Sequence, residues 1–231
     1  MTKGKRYAGQ LQQIERGRKF TLEEAVELIQ SMASVKFDET VELAFHLGID
    51  PRQSDQAIRG ALVLPHGIGK EQRVVVVATG DEAAAASEAG ADVVGYEEVI
   101  DRIKGGWLDF DTLIATPDAM KDLRSLGRVL GPRGLMPNPK TGTLTQTPAV
   151  AVGEAKAGRV EYRNDRGGCV HMPVGKRSFS REALIENAEA AIQQIMRAKP
   201  AAAKGTYLIS LAMSSTMSPA VKIDTRTMTK A

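Results

Sequence analysis

Two domains of the α/β class, one inserted into the other, are the architecture this sequence predicts, and three observations predict it. The middle of the 231-residue chain holds strands that are apolar at every residue, separated by helical stretches. Such a pattern indicates a parallel sheet covered on both faces, a three-layer α/β arrangement. The two ends hold strands that alternate apolar with polar, the pattern of a half-buried antiparallel sheet in an α+β domain. Charge then separates the parts. Residues 68–158 carry 10 Lys and Arg against 13 Asp and Glu, net −3, whereas residues 1–67 with 159–231 carry 21 against 15, net +6.

The elements follow in order. "TLEEAVELIQSMA" after Phe20 has a threonine cap, early glutamates, and apolar residues at Leu22, Ala25, Val26, Leu28 and Ile29, which is helical spacing. "ETVELAFHLGID" places Val41, Leu43, Phe45 and Leu47 on one face of a strand. The pattern changes near Pro65. "RVVVVATGDEAAAASEAGADVVGYEEVIDRI" gives a β-branched run, an Ala-rich helix closed by Gly90 and a second apolar run, and "DTLIATPDAMKDLRSLGRVLG" repeats that order with a third strand and one helix. Three prolines and three glycines over residues 131–142 then form a compact loop, with Arg128, Arg133 and Lys140 as a basic rim. "RVEYRNDRGGCVHMPVG" predicts two strands joined by a turn at Asn164–Gly168. "SFSREALIENAEAAIQQIMRAKP" predicts a capped helix ended by Pro200, and "GTYLISLAM" an alternating strand. The two ends are expected to fold together, so the predicted domains are 1–67 with 159–231, and 68–158.

Composition excludes several classes. Hydrophobic residues at 42% and charged residues at 26% suit a globular protein, and no apolar run approaches the ~20 residues of a membrane span. The start "MTKGKRYAGQ" has no apolar core behind its basic residues, which predicts a cytoplasmic rather than a secreted protein. One cysteine, Cys169, with His46, His66 and His171 offers no metal-ligand spacing, and no cofactor is expected. "LPHGIGK" has Leu64 where a phosphate loop needs glycine, and its Gly69–Lys70 precedes a strand instead of following one. Gly175–Lys176 fails the same pattern at Val170, and "ATGDEA" has a single glycine. No serine occupies a G-x-S-x-G elbow, and Glu23, Glu24, Glu97 and Glu98 fall in first turns of helices, where they complement the macrodipole. His46 reads as a surface residue. A nucleotide- or phosphate-dependent α/β enzyme built on residues 68–158 is the alternative reading.

The basic outer domain points to a polyanion. Its run "SLAMSSTMSP", residues 210–219, has no charge, and aromatic residues are 4% of the chain, too few for base stacking as the main mode. The shallow minor groove of A-form RNA displays 2′-hydroxyls, which suit short hydroxyl side chains pressed close. Ser210 and Thr216 would hydrogen-bond there, and Met217 would cover a base or ribose face. Lys36, Arg163, Lys176 and Arg177 would supply phosphate contacts.

Five stretches carry a likeness over essentially the whole chain: "KFDETVELAFHLGID", "LPHGIGK", "SLGRVLGPRGLMPNPKTGT", "VEYRNDRGGCVHMPVGK" and "KGTYLISLAMSSTM". In these the sequence resembles the bacterial-type family of large-subunit ribosomal protein L-one, the ribosomal stalk protein. The resemblance implies a basic domain made from both chain ends and a Rossmann-like insert, joined by hinge strands near 65–70 and 155–160. It implies a non-enzymatic protein, monomeric when free, that binds large-subunit rRNA at the base of a mobile stalk and helps exiting tRNA leave. It also implies binding to a mimic of that site on its own operon mRNA, with repression of translation. Carried over by motif, Phe37, Ser210, Thr216 and Met217 are the RNA-recognition cluster, with Lys36, Thr40, His171 and Lys176 as further candidates. Phe37 is expected to open the strand, packing and supporting the cluster together. Ser218 departs from the glycine that the family carries after Thr-Met.

Overall fold

The computed structural model describes residues 4–226 apart from Arg16 and Ser34. In chain order the elements are α1 (Lys5–Gln12), α2 (Leu22–Ser31), β1 (Thr40–Leu47), β2 (Arg59–Val63), β3 (Val74–Val77), α3 (Gly80–Glu88), β4 (Val93–Gly95), α4 (Glu97–Lys104), β5 (Thr112–Ala115), α5 (Met120–Leu123), α6 (Gly127–Leu130), α7 (Pro148–Lys156), β6 (Arg159–Arg163), β7 (Cys169–Lys176), α8 (Arg181–Arg197), β8 (Leu208–Ser215) and β9 (Val221–Ile223). Contacts divide the chain into two compact units, Met1–Gly69 with Val160–Ala231, and Lys70–Arg159.

The first unit is built on an antiparallel sheet of order β7-β1-β8-β9. Alternation puts Val41, Leu43, Phe45 and Leu47 of β1 beside Val170, Met172 and Val174 of β7 and Leu211 and Met213 of β8, on one buried face. Helices α2 and α8 cover it with Ala25, Val26, Ile29, Leu184, Ala188, Ala191, Ile192 and Ile195. Helix α2 starts at a capping box: Glu24 N–H donates to Thr21 Oγ1 at 3.2 Å, and Thr21 N–H donates to Glu24 Oε2 at 2.9 Å.

Two irregularities aim the outward face. Pairing of β1 with β7 shifts between Val41 and Glu42, so Val174 has no partner in the ladder. Its carbonyl accepts from Asn187 Nδ2 at 2.8 Å. Pairing of β1 with β8 shifts between His46 and Leu47, and Ile209 is the extra residue. Without that bulge Ser210 would point into the core, because Leu208 and Leu211 are both buried.

The stretch "RVEYRNDRGGCVHMPVG" forms two strands, but they do not pair as a ladder with each other. Strand β6 pairs with β2, and β7 with β1; only the bridge Asn164–Val170 links the two. The reason lies in the connection. Asp165 Oδ1 accepts N–H bonds from Gly167 at 2.8 Å and Cys169 at 2.7 Å, so a side chain closes the turn. Tyr162 of β6 lies over Gly60 of β2, where a Cβ would sit 2.5 Å from its hydroxyl oxygen. This ladder also corrects the implied hinge positions. Residues 65–70 hold turns and bends but no strand, and 155–160 runs from the end of α7 into β6.

The inserted unit is a parallel sheet of order β4-β3-β5 with cores on both faces. Val74, Val76 and Ile114 pack with Ala86 of α3 and Ala151, Val152 and Ala155 of α7. Val75, Val77, Leu113 and Ala115 pack with Val99, Ile100 and Ile103 of α4 and with Leu123, Leu126 and Leu130. The single helix expected over this last segment is broken into α5, a 3₁₀ turn at Arg124–Leu126, and α6. Gly127 weakens helix propensity there, while the buried leucines keep their spacing through the tighter turn.

Candidate nucleic-acid interface

The outward face of the four-stranded sheet is where most of the predicted residues lie. On β1 it presents Thr40, Glu42, Ala44 and His46; on β7, Cys169, His171, Pro173 and Lys176; on β8, Ser210, Ala212 and Ser214. Ala44 sits between His171 and Ala212, and His46 between Cys169 and Ser210. Small residues, Ala44 and Ala212 with Pro173 and Ser214 beside them, leave room there for backbone to press closely, with Glu42 as the one carboxylate among these rows.

Its Thr40 end is organised by three consecutive residues. Asp38 accepts from Ser178, the hydroxyl at 2.7 Å and the N–H at 3.2 Å. Glu39 is buried, its side chain wholly so, and accepts from Ser215 Oγ at 2.6 Å, Met217 N–H at 3.0 Å and Arg177 Nη1 at 3.2 Å. Thr40 N–H donates to Thr216 Oγ1 at 3.1 Å, Thr216 N–H donates to the Thr40 carbonyl at 3.0 Å, and Lys176 Nζ donates to Thr40 Oγ1 at 2.9 Å. The segments 38–40, 176–178 and 215–217 are thus one hydrogen-bonded block.

Burial by itself would raise the Glu39 pKa, but the Ser215 hydroxyl, the Met217 N–H and the Arg177 guanidinium outweigh it and hold the carboxyl below its ordinary value. Glu39 is the residue sequence reasoning missed. Its partners come from positions 138 and 176–178 residues away, so nothing local marks it.

Arg177 corrects the expected basic rim. Its side chain is only 11% exposed; besides Glu39 it donates to the carbonyls of Gln30, at 3.0 Å, and Met32. A helix without a basic residue in its last turn, α2, receives its C-terminal cation from this distant arginine. Arg177 is a structural pin. Lys36, Arg163 and Lys176, by contrast, have no carboxylate partner among the described residues.

Phe37 precedes β1 and is 54% exposed, so it neither opens the strand nor packs in the core. Lys36 is exposed beside it. Thr216 and Met217, the latter 45% exposed, lie just past β8. The structure joins Thr40, Lys176, Thr216 and Met217, with Lys36 and Phe37 just upstream. It does not bring Ser210 to Thr216: six steps of extended chain, roughly 20 Å, separate the two. His171 occupies the middle. The Thr216 hydroxyl donates back to the Thr40 carbonyl at 3.3 Å, so its free capacity is as an acceptor.

Ser218 requires no glycine-like backbone, since no described non-glycine residue has positive φ. Its hydroxyl accepts from Ser215 N–H at 2.9 Å and closes the turn. Nearby, N–H bonds from Cys169 and Gly167 hold the Asp165 carboxyl below the ordinary carboxylate range. Burial, and then Asp165, push the Cys169 thiol up, away from nucleophilic use.

On the inserted unit, the loop at 131–143 is ordered by side chains: Asn138 N–H donates to Thr143 Oγ1 at 2.9 Å, and Thr141 and Thr143 hydroxyls meet at 3.0 Å. It leaves Arg128, Arg133 and Lys140 exposed. The turns into helices that follow β3 and β4 carry Asp81 and Glu82, and Glu97 and Glu98, in the first helical turn. Carboxylates there occupy the positive end that a phosphate would need.

A model of the ribosomal protein L1p/L10e family matches residues 29–219. The chain belongs to that family. As a family member it is a structural ribosomal protein that binds rRNA of the large subunit. The matched span takes in the whole Glu39 block and the inserted unit, and leaves α1 outside. Among the described residues no helix is long and apolar enough to cross a membrane.

Proposed function

We propose that this protein grips folded large-subunit rRNA with the outward sheet face of its first unit, the Thr40 end carrying most of the recognition. Met217 and Phe37 cover base or ribose faces, Thr216 and Ser210 bond 2′-hydroxyls, and Lys36, Lys176 and His171 meet the backbone. In the ribosome of the cytoplasm it stands in the stalk and assists release of exiting tRNA. As a free monomer it binds a mimic of the rRNA site on its operon mRNA and represses translation.

The observation that carries this reading is the Glu39 block, which holds two exposed, uncharged residues beside cations that have no carboxylate partner among the described residues. A rigid presenting frame loses little side-chain freedom on binding. Thr216→Ala and Met217→Ala are each expected to weaken binding to a large-subunit rRNA fragment by about 1 to 3 kcal/mol in a filter assay, with the unfolding midpoint nearly unchanged. Equal dissociation constants at fixed salt would reject the site. Competition between that fragment and the operon mRNA leader tests the regulatory part: independent binding of both would sink it. A nucleotide-dependent enzyme is disfavoured by the acidic first turns of α3 and α4, and saturable nucleotide binding to the full chain would revive it.

A further inference from the structure

Helix α1 lies outside the span matched by the family, yet it touches the block on one side and the segment before Lys36 on the other. Gln10 Nε2 donates to the Ala33 carbonyl at 2.7 Å, and Arg6 Nη2 donates to the Met217 carbonyl at 3.3 Å. Met217 is therefore held at its N–H by Glu39 and at its carbonyl by Arg6. Only part of the guanidinium is used. Its Nη1 is shielded from water and has no acceptor among the described residues, and Arg6 has no carboxylate partner there.

Beside this guanidinium lies a cavity of about 400 Å³, walled by Gly4, Arg6 and Tyr7 on the helix side and by Thr216, Met217 and Ser218 on the other. The start of α1 is also unneutralised. Gly4 supplies no side-chain cap, and the first turn carries Lys5 and Arg6 without an acid. Cations at the positive end of a helix are unfavourable unless an anion joins them.

We propose that this cavity takes a phosphate of the bound RNA and that Arg6 is its ligand, which extends the binding site onto α1. The inference rests on the reading of the Thr40 end as the RNA site. A planar guanidinium matches two oxygens of a phosphodiester, and rotation about its own side-chain torsions turns Nη1 toward the cavity. Binding then gives that N–H the acceptor it lacks, and the same arginine ties phosphate position to Met217 position.

The test uses the full chain and a large-subunit rRNA fragment, with filter binding over a salt series for the wild type, Arg6→Gln, Gly4→Asp and Thr216→Ala. Arg6→Gln is expected to weaken binding about tenfold at 0.1 M salt. The slope of log affinity against log salt should become shallower by about 0.7 to 0.9, the share of one phosphate contact. Weakened binding with the slope unchanged would assign Arg6 to holding Met217 alone and overturn the phosphate contact. No effect of Arg6→Gln while Thr216→Ala weakens binding overturns the inference and leaves the wider reading standing; no effect of either overturns both. If circular dichroism shows that Arg6→Gln undocks the helix, Gly4→Asp decides, since it caps the helix and places a carboxylate at the cavity wall. Binding weakened severalfold at 0.1 M salt supports the contact, and unchanged binding rejects it.

Discussion

Glu39→Ala is expected to destabilise the protein by about 3 to 5 kcal/mol, because it strands Arg177 in a site where only 11% of its side chain reaches water. The same change leaves the Ser215 hydroxyl and the Met217 N–H without their acceptor. Denaturant titration at neutral pH measures the loss, and a decrease under 1 kcal/mol would show that the block tolerates an empty centre. rRNA binding should fall by more than the unfolded fraction explains, since the turn 215–217 loses its anchor. Glu39→Gln separates charge from shape: it keeps an acceptor for Ser215 and Met217 but loses the ion pair, and should lie between wild type and alanine.

The sign of the pH dependence follows from the same residue. A carboxyl held below its ordinary value in the folded state, as Glu39 is, adds stability above the unfolded-state pKa and loses it as pH falls through the folded-state pKa. The stability gap between wild type and Glu39→Gln should be full at pH 6 and shrink steadily below about 4.3, the ordinary glutamate value. A gap that stays constant to pH 3 would mean that Glu39 does not titrate with folding.

Asn187→Leu is the second large effect. Asn187 is fully buried on α8 and makes three bonds: it accepts from His66 N–H at 3.0 Å and donates to the carbonyls of Gly67 at 3.0 Å and Val174 at 2.8 Å. Leucine matches its volume but answers none of them, so three backbone groups lose their partners. At about 1 to 3 kcal/mol for each buried unsatisfied group, the expected cost is about 3 to 9 kcal/mol. Urea unfolding of Asn187→Leu beside Asn187→Asp checks it, the aspartate keeping one acceptor but adding a buried charge. Near-neutral behaviour of the leucine variant would mean that water or a shifted turn replaces the amide.

Much of the fold was legible in the residues. Unbroken valines at 74–77 imply two covered faces, and alternation through 40–47 implies one, because burial on a strand has a period of two. Less local features were not. Strand β2 and helices α1 and α7 carry weak or uninterrupted patterns, and β9 is three residues long. The turn at 164–168 was readable as a turn, while the strand partners on either side of it were not, since a ladder partner can come from any distance.

The candidate site divides in the same way. An uncharged run in a basic domain, with Thr40, Lys176, Thr216 and Met217 as candidates, could be named from composition and resemblance, because exposure of short polar residues is a local property. What only the tertiary structure decided was which charges are free. Arg177 and Lys176 are neighbours of like type, yet one is locked to a buried glutamate and two helix carbonyls while the other rests on a threonine hydroxyl. Lys176 ends β7 on its outward face and Arg177 follows in the turn, and whether a cation meets a carboxylate depends on segments more than a hundred residues away. The residue types belong to the sequence; their electrostatic roles arise from pairing at a distance.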